Sequence, residues 1–377
     1  MDMRAHSDAQ DGGVLSQSER LRWLDQSRGF VMILLTLTLV FPPRVWISEG
    51  SILFWLFSHA GPDATYMTVF DIGAAMFVFI MGLSFSISFQ RRRLKGSTGR
   101  AIRYVLLRYS LILIFGFLIL ASMGSLIYES RGIEVLAWDV IPTLGLIGFV
   151  CLPFVFIREP KSRMVAAYAW MIIYQILMNT VGLKEYAKAS AHGGVFGTIF
   201  GYAGIMIVAT AVGDYLASGS TSTSEPKKFE RFAMFGILNV LGGLALSFVP
   251  GWEASKRQVS FTHCVISIGV TVSVLLIFIY LDRVKNRDFV LLQAYGRNPF
   301  LAYILAEFPA FVLKETVGAD LGLGPLGNIL AATVLLTYTS ATMLYLYRRR
   351  LLISTEKVSI ALLLIAVPIL LFFIFVG

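Results

Sequence analysis

The sequence predicts an all-α, polytopic membrane protein with about eleven transmembrane helices. Of its 377 residues, 56% are hydrophobic and only 15% are Asp, Glu, Lys or Arg, and the mean hydropathy is +0.74. These values are too apolar for a soluble domain of this length. Apolar runs of the length that crosses a bilayer as a helix recur along the chain. They lack the alternation typical of transmembrane strands.

Each predicted helix corresponds to one apolar run. The runs lie at residues 29–47, 68–90, 103–123, 136–157, 164–182, 194–217, 231–250, 259–281, 290–314, 326–347 and 357–376. The composition between them predicts a disordered cytoplasmic tail at 1–18, a first membrane block at 19–217, a Ser- and Thr-rich cytoplasmic linker at 218–230 and a second membrane block at 231–377. We expect no cleavable signal peptide, so the first apolar run would remain as an anchor.

The net charge of +9 follows a pattern along the chain. Clusters of Arg and Lys, such as 91–95 and 348–350, fall in alternate loops, whereas the intervening loops are acidic or mixed. This positive-inside pattern predicts a cytoplasmic N-terminus and an external C-terminus. Because the charge is explained by topology, nucleic acid is not an expected partner. The compact architecture without a soluble domain is typical of a bacterial inner-membrane protein.

His59 and Asp71 are the first candidates for chemistry. His59 precedes a long apolar run that opens with Asp71, and both are predicted to lie near the external surface. A loop histidine and a helix-capping carboxylate are the simpler interpretation. If Asp71 instead accepts a hydrogen bond from one ring nitrogen of His59, the other nitrogen becomes a better base.

Two further groups of residues lie at predicted helix ends or within helices. Asp25 and Arg28 share a helix face at the cytoplasmic boundary, where Arg22 and Arg28 form either interfacial anchors or a site for an anionic ligand. Asn298 and Glu307 lie in the ninth predicted helix, nine residues apart. An ionisable Glu in an apolar helix is a functional candidate, with a structural hydrogen bond between helices as the alternative.

The remaining ionisable residues have mixed interpretations. Lys256 lies on the external side against the charge rule, either as a tolerated charge or as part of a site. His192 and His263 are expected to be satisfied or loop histidines, and Cys151 and Cys264 are expected to be packing residues. No metal-ligand spacing, nucleophile elbow or phosphate loop is present.

Four segments of the chain resemble the heparan-α-glucosaminide N-acetyltransferase family of multi-pass acyltransferases and its bacterial relatives. Residues 22–29 resemble its Arg-x-x-Asp-x-x-Arg-Gly motif, and residues 59–82 its His-Ala, Thr-x-x-Asp and Phe-x-Phe-Ile-x-Gly block. Residues 256–262 are similar to a Lys-x-x-Trp-x-x-Ser entry, and residues 296–307 to a Gly-x-Asn, Tyr and Glu helix. The family's Trp after His-Ala is absent and its His beside Glu307 is Ala306, which leaves the acceptor open.

The resemblance implies transfer of an acetyl or other acyl group from cytosolic acyl-CoA to an extracytoplasmic sugar amine or hydroxyl. His59 would be the general base or the acyl carrier, with Asp71 as its carboxylate. The residues implied for acyl-CoA binding are Arg22, Arg28 and Asn298, and those implied for the acceptor glycan or amino sugar are Glu307 and Lys256. No metal is implied.

Two other classes of function fit the same residues. A proton-coupled transporter or flippase of a sugar or lipid-linked substrate would use His59, Asp71 and Glu307 as a relay, although no internal repeat is visible in the sequence. A non-catalytic membrane scaffold of the same fold is the third reading. The lipid bilayer is the certain partner of any of these, and a homodimer is a candidate assembly.

Overall fold

A computed structural model describes residues 21–40, 51–61, 64–128, 138–189, 191–217, 225–316, 324–353, 357, 360, 361 and 364. Within these residues the chain is helical, with no strand. The helices are α1 (Arg22–Val40), α2 (Ile52–Phe57), α3 (Gly73–Lys95), α4 (Thr98–Tyr128), α5 (Val140–Phe154), α6 (Pro160–Thr180), α7 (Leu183–Ala189), α8 (Gly194–Phe196), α9 (Ala203–Ala217), α10 (Glu225–Leu246), α11 (Phe261–Arg283), α12 (Val290–Arg297), α13 (Pro299–Thr316) and α14 (Gly324–Arg348). A 3₁₀ turn (Phe70–Ile72) leads into α3, and a π-helical turn (Gly197–Tyr202) joins α8 to α9.

The predicted fold class, an all-α polytopic membrane protein, is confirmed. Five segments of the described chain are long and apolar enough to cross a membrane. They are Phe70–Lys95, Gly194–Leu216, Lys227–Leu246, Phe261–Arg283 and Leu330–Arg348. The total of eleven spans and the sidedness of the two termini stay predictions.

Burial separates central spans from peripheral ones. In the apolar stretches of Phe70–Lys95 and Gly194–Leu216, 72% and 78% of the residues are buried inside the protein. The corresponding share is 22% in Lys227–Leu246 and in Leu330–Arg348. The first two spans therefore form the centre of the bundle, and the last two present their apolar side chains outwards, as a lipid-facing helix does.

The predicted single helix at 290–314 is wrong, because the chain breaks between α12 and α13. Asn298, between the two helices, has φ −128° and ψ 54°, outside the helical region. Pro299 causes the break, since it lacks a backbone N–H and its ring disfavours a helical conformation in the preceding residue. The Asn298 side chain ties the break to the segment after α14: its Nδ2 donates to the carbonyl of Leu351 at 3.2 Å, and its Oδ1 accepts from the N–H of Ile353 at 2.8 Å.

Helices α1 and α12 touch through their backbones at two glycines. A Cβ atom on Gly29 would lie 1.7 Å from the carbonyl oxygen of Leu292, and one on Gly296 would lie 1.7 Å from that of Asp25. No side chain fits at either position. The contact brings the Arg28 guanidinium to 3.5 Å from the carbonyl of Gly296.

Helix α3 connects two chemically different ends of the bundle. Its last turn carries Arg92, Arg93 and Lys95, and we call this side the basic end. The 3₁₀ turn that contains Asp71 precedes it at the opposite side, which we call the His59 end. The 26 residues of Phe70–Lys95 span about 39 Å at a rise of 1.5 Å per residue, enough to cross a bilayer.

Several predicted boundaries fall beside or beyond the described chain. Helix α10 begins at Glu225, inside the predicted linker 218–230, and residues 218–224 lie outside the described residues. The predicted tail 1–18 and most of the predicted last helix 357–376 also lie outside them.

Candidate active site

His59 follows the short helix α2, which ends at an extended residue. Ser51 caps the start of α2 by accepting a hydrogen bond from the N–H of Phe54, and Ser58 at its end has φ −115° and ψ 162°. The Thr68 hydroxyl donates to the Ser58 carbonyl. This hydrogen bond ties the segment that carries His59 to the turn that carries Asp71.

The Asp71 carboxylate is fully buried and holds the imidazole of His59. Its Oδ2 accepts hydrogen bonds from the Thr68 N–H at 2.8 Å and the Ala60 N–H at 3.2 Å, and it lies 3.0 Å from the Thr68 hydroxyl oxygen. Its Oδ1 lies 2.9 Å from Nδ1 of His59. Of the two interpretations that the sequence left open, the structure has the contact between His59 and Asp71; 35% of the His59 side chain is exposed, while Asp71 is 0% exposed.

Lys256 completes this cluster from a segment almost 200 residues away. Its Nζ lies 3.0 Å from Nδ1 of His59 and 3.5 Å from Oδ1 of Asp71. Burial lowers the pKa of Lys256 because it disfavours the ammonium form, although the negative charge of Asp71 opposes this effect. In the tautomer with a proton on Nδ1, this nitrogen donates to Asp71, Lys256 can donate only to the carboxylate, and the lone pair of the ring lies on Nε2.

His192 and His263 lie beside the cluster of His59, Asp71 and Lys256, a placement that the sequence analysis did not predict. The Nε2 of His263 donates to the carbonyl of Asp71 at 3.2 Å, and His263 is fully buried. The Nδ1 of His192 lies 3.0 Å from the Tyr202 hydroxyl. Burial, followed by the positive charge of Lys256, lowers the pKa of His192 to about 3. The available signal was that all three histidines flank external ends of predicted helices.

Glu307 joins the same end of the bundle through Asp139. Its carboxylate shares a side-chain hydrogen bond with Tyr303, one turn earlier in α13, and is repelled by the carboxylate of Asp139. Asp139 caps α5 by accepting from the Val140 N–H at 2.7 Å, and it is attracted to Lys256. The His59 end thus collects His59, Asp71 and Lys256 together with a second, acidic group formed by Asp139 and Glu307.

A cavity of about 910 Å³ opens at the basic end. Seven of its lining residues are cationic, and one, Asp25, is acidic. The cationic residues are Arg28, Arg91, Arg92, Lys95, Arg100, Arg108 and Arg297. Apolar side chains from five helices, among them Phe77, Met81, Leu144 and Phe300, line the same cavity. Its wall is therefore both strongly basic and partly apolar.

Several of these guanidinium groups are held in place by neighbours. Arg28 donates to the Asp25 carboxylate at 2.9 Å and to the Ser84 hydroxyl at 2.6 Å. The guanidinium carbon of Arg92 lies 3.3 Å from the centre of the Tyr104 ring, a cation–π contact. Cationic groups that are fixed in advance lose little conformational entropy when an anion binds.

The predicted cofactor residues separate in the structure. Arg28 and Asn298 line the cavity, but Arg22 does not. Arg22 contacts Asp282 through its Nε at 2.9 Å and Asn286 through its Nη2 at 2.9 Å. Arg22 therefore lies apart from Arg28, beside Asp282 and Asn286 at the end of α11, and the roles of both residues in cofactor binding stay predictions.

The cavity and the His59 cluster are distinct but close along α3. Neither His59 nor Lys256 lines the cavity. Phe77, which does, follows Asp71 by six residues, or about 9 Å along a helix. No group of three His, Cys, Asp or Glu residues that could hold a metal ion occurs in the described part of the chain.

One comparison with known proteins identifies a family. The family model described as GWT1 matches residues 65–308, which is more than half of the chain. The matched range includes Asp71, Lys256 and Glu307, whereas His59 and Arg28 precede it. No curated protein matches this chain. The match overturns the resemblance to the heparan-α-glucosaminide N-acetyltransferase family, for which no support was found.

Proposed function

Because the chain belongs to the GWT1 family of GPI-inositol acyltransferases, which are membrane acyltransferases, we propose that it moves an acyl group from acyl-CoA to a hydroxyl group at the His59 end. One observation carries this proposal. A cation-lined cavity at the basic end and a carboxylate-bound imidazole at the opposite end belong to the same helix bundle.

The cavity at the basic end suits the donor. Coenzyme A carries phosphate groups on a long, flexible arm that ends in the thioester. Arg side chains bind phosphate oxygens through paired hydrogen bonds, and six of the seven cations in the lining are Arg. The apolar wall near Phe77 and Met81 would receive the arm and direct the thioester towards Asp71 and His59.

His59 would act as the general base. The proton of the acceptor hydroxyl moves to Nε2 of His59 while its oxygen attacks the thioester carbonyl carbon. The C–S bond then breaks, and the thiolate leaves as a thiol after taking that proton. Asp71 holds the ring through Nδ1 and stabilises the positive charge that develops on it.

The positive charge of Lys256 would assist the same step. Its ammonium group lies within 3.5 Å of both His59 and Asp71, in a partly buried position. A cation there stabilises the oxyanion that forms on the thioester carbonyl, because electrostatic attraction is strong where water is excluded.

The acceptor would be a polyol, and the transferred group would form an ester. The family acts on the inositol of GPI, whose reactive groups are hydroxyls. Carboxyl groups form hydrogen bonds with hydroxyl groups, and the His59 end supplies two of them: Asp139, near Lys256, and Glu307, near Asp139. The positive-inside pattern supports a cytoplasmic basic end in a bacterial inner membrane, with the acceptor on the other side.

A covalent route through His59 differs from direct attack in one observable. Since Nδ1 faces Asp71, only Nε2 of His59 is available for acylation. Incubation with labelled acyl-CoA and no acceptor would accumulate label on His59 in the covalent route. Unlabelled protein under these conditions would support the direct route.

The proposal is tested with purified protein and its His59→Ala variant. We expect both to bind acyl-CoA equally, since His59 does not line the cavity. Thiol release in the presence of myo-inositol or phosphatidylinositol should fall about 10²–10⁴-fold in the variant, the range for loss of a general base. Absence of acyl-CoA binding in both forms would contradict the proposed donor.

A further inference from the structure

Lys256 opens a tight turn with an unusual backbone. The N–H of Val259 donates to the Lys256 carbonyl at 3.1 Å, and the N–H of Ser260 donates to the Ser255 carbonyl at 3.1 Å. Val259 has φ 54°, a left-handed conformation that β-branched residues rarely adopt. Such a conformation persists only where the surrounding structure enforces it.

Three glycines form the surface that enforces this conformation, and we call them the glycine face. Two of them lie inside the π-helical turn. Gly193, Gly197 and Gly201 are spaced four residues apart, and Val259 packs against them with 0% of its surface exposed. A Cβ on Gly197 would lie 3.1 Å from Cγ2 of Val259. A Cβ on Gly201 would lie 2.5 Å from its Cγ1 and 3.0 Å from its carbonyl oxygen. Val259 fits because these positions carry no side chain.

The remaining residues of the turn are anchored on the same side. The Tyr174 hydroxyl donates to the Gln258 carbonyl at 2.9 Å, and Nε of Arg257 donates to the Lys188 carbonyl at 2.7 Å. The thiol of Cys264 contacts the Val259 carbonyl at 3.6 Å. These contacts fix the turn, and the Lys256 side chain extends from it to His59.

We infer that the packing of Val259 against the glycine face positions Lys256 against His59 and Asp71. We call this packing contact the latch. Val259 and Gly201 are positioning residues in this account, because they act through Lys256. The π-helical turn fits this role, since such turns recur at functional sites. The effect of the latch on turnover rests on the proposed function, but its effect on the position of Lys256 does not.

The first test is Gly201→Ala, whose methyl group would push Val259 out of its place. We expect kcat to fall about tenfold, in the middle of the range for coupled contacts, with KM for acyl-CoA unchanged because the cavity is at the other end. Gly201→Ala combined with Val259→Gly should recover most of the loss, because the smaller residue makes room for the methyl group. Gly242→Ala is the matched control, since a Cβ there would meet nothing within 4 Å.

A second background separates positioning from general damage. If the latch acts through Lys256, then Gly201→Ala should cause no further loss of kcat in a Lys256→Ala protein. Equal losses in the two backgrounds would overturn the inference, because independent effects add.

The third readout needs no activity. Mass spectrometry measures how fast a small amine-reactive reagent labels Lys256 in the intact protein. Labelling should speed up several-fold in Gly201→Ala and in Val259→Gly, and return towards the wild-type rate in the double variant. An unchanged rate in both single variants would overturn the latch. If the variants show the expected labelling changes but the wild-type protein transfers no acyl group, the proposed function is contradicted and the latch is supported.

Discussion

The Asp71 carboxylate holds Nδ1 of His59 at 2.9 Å with one oxygen, while its other oxygen accepts hydrogen bonds from the N–H groups of Thr68 and Ala60. These backbone bonds restrain the carboxylate and with it the orientation of the imidazole ring. When Nδ1 carries the proton that it donates to Asp71, the lone pair of His59 lies on Nε2, the nitrogen opposite Asp71.

Asp71→Asn should retain the shape of the site and lose its chemistry. An amide cannot supply the negative charge that stabilises a protonated His59, and it can force the wrong tautomer of the ring. We expect the acyl transfer rate to fall about 10²–10⁴-fold with acyl-CoA binding unchanged. Transfer at the wild-type rate would show that Asp71 has only a structural role.

The pH dependence of transfer should report His59 and not His192. The rate should decline in acid as the imidazole of His59 takes up a proton and ceases to be a base. The pKa of His192 is lowered to about 3, so this ring gains a proton only near pH 3 and stays neutral between pH 5 and 8. His192→Asn, which tolerates the φ of 54° at this position, should leave the acid limb in place. A shifted limb in this variant would contradict the assignment.

Two arginines near the end of α3 provide a test and a matched control for the proposed donor site. Arg91 lines the cavity, whereas Arg93, two residues later, does not. Arg91→Gln should raise KM for acyl-CoA about tenfold or more, since a hydrogen bond to a charged group contributes about 1.5–3 kcal/mol. Arg93→Gln should leave KM nearly unchanged. Equal effects would mean that general surface charge, rather than the cavity, attracts the donor.

The crossing of α1 and α12 predicts a stability effect. In Gly296→Ala the new methyl group would meet the Asp25 carbonyl, so the two helices must separate. We expect a loss of about 1–3 kcal/mol, the usual cost of overpacking, measured as a lower Tm in detergent. Gly99→Ala, at the start of α4, is the control because its nearest neighbour would be 3.9 Å away. Equal Tm values for both variants and the wild type would contradict the close crossing.

Much of the fold follows from local properties of the sequence. Apolar run length and charge pattern depend on a few neighbouring residues, so they predicted the fold class. The contact of His59 with Asp71 was also accessible, because only 12 residues separate the two. The break at Asn298 was missed although Pro299 is visible, since the apolar pattern continues across it.

Long-range contacts could not be predicted in the same way. Lys256 lies 197 residues from His59, and nothing in either segment records that they meet. The resemblance to the wrong family has a physical origin as well. Gly29, Gly296 and Asn298 carried part of its motifs, yet the structure uses them for a close helix crossing and for a break in a helix. Such residues mark packing as readily as a shared reaction.

The central claim is that donor and acceptor meet from opposite ends of the bundle. Proteoliposomes with the protein in one orientation test it most directly. Labelled acyl-CoA is supplied only to the basic end, and myo-inositol or phosphatidylinositol only to the His59 end. We predict a labelled ester in the compartment that faces His59, and a strongly reduced yield with His59→Ala. Ester formation only when donor and acceptor share one compartment would contradict the account.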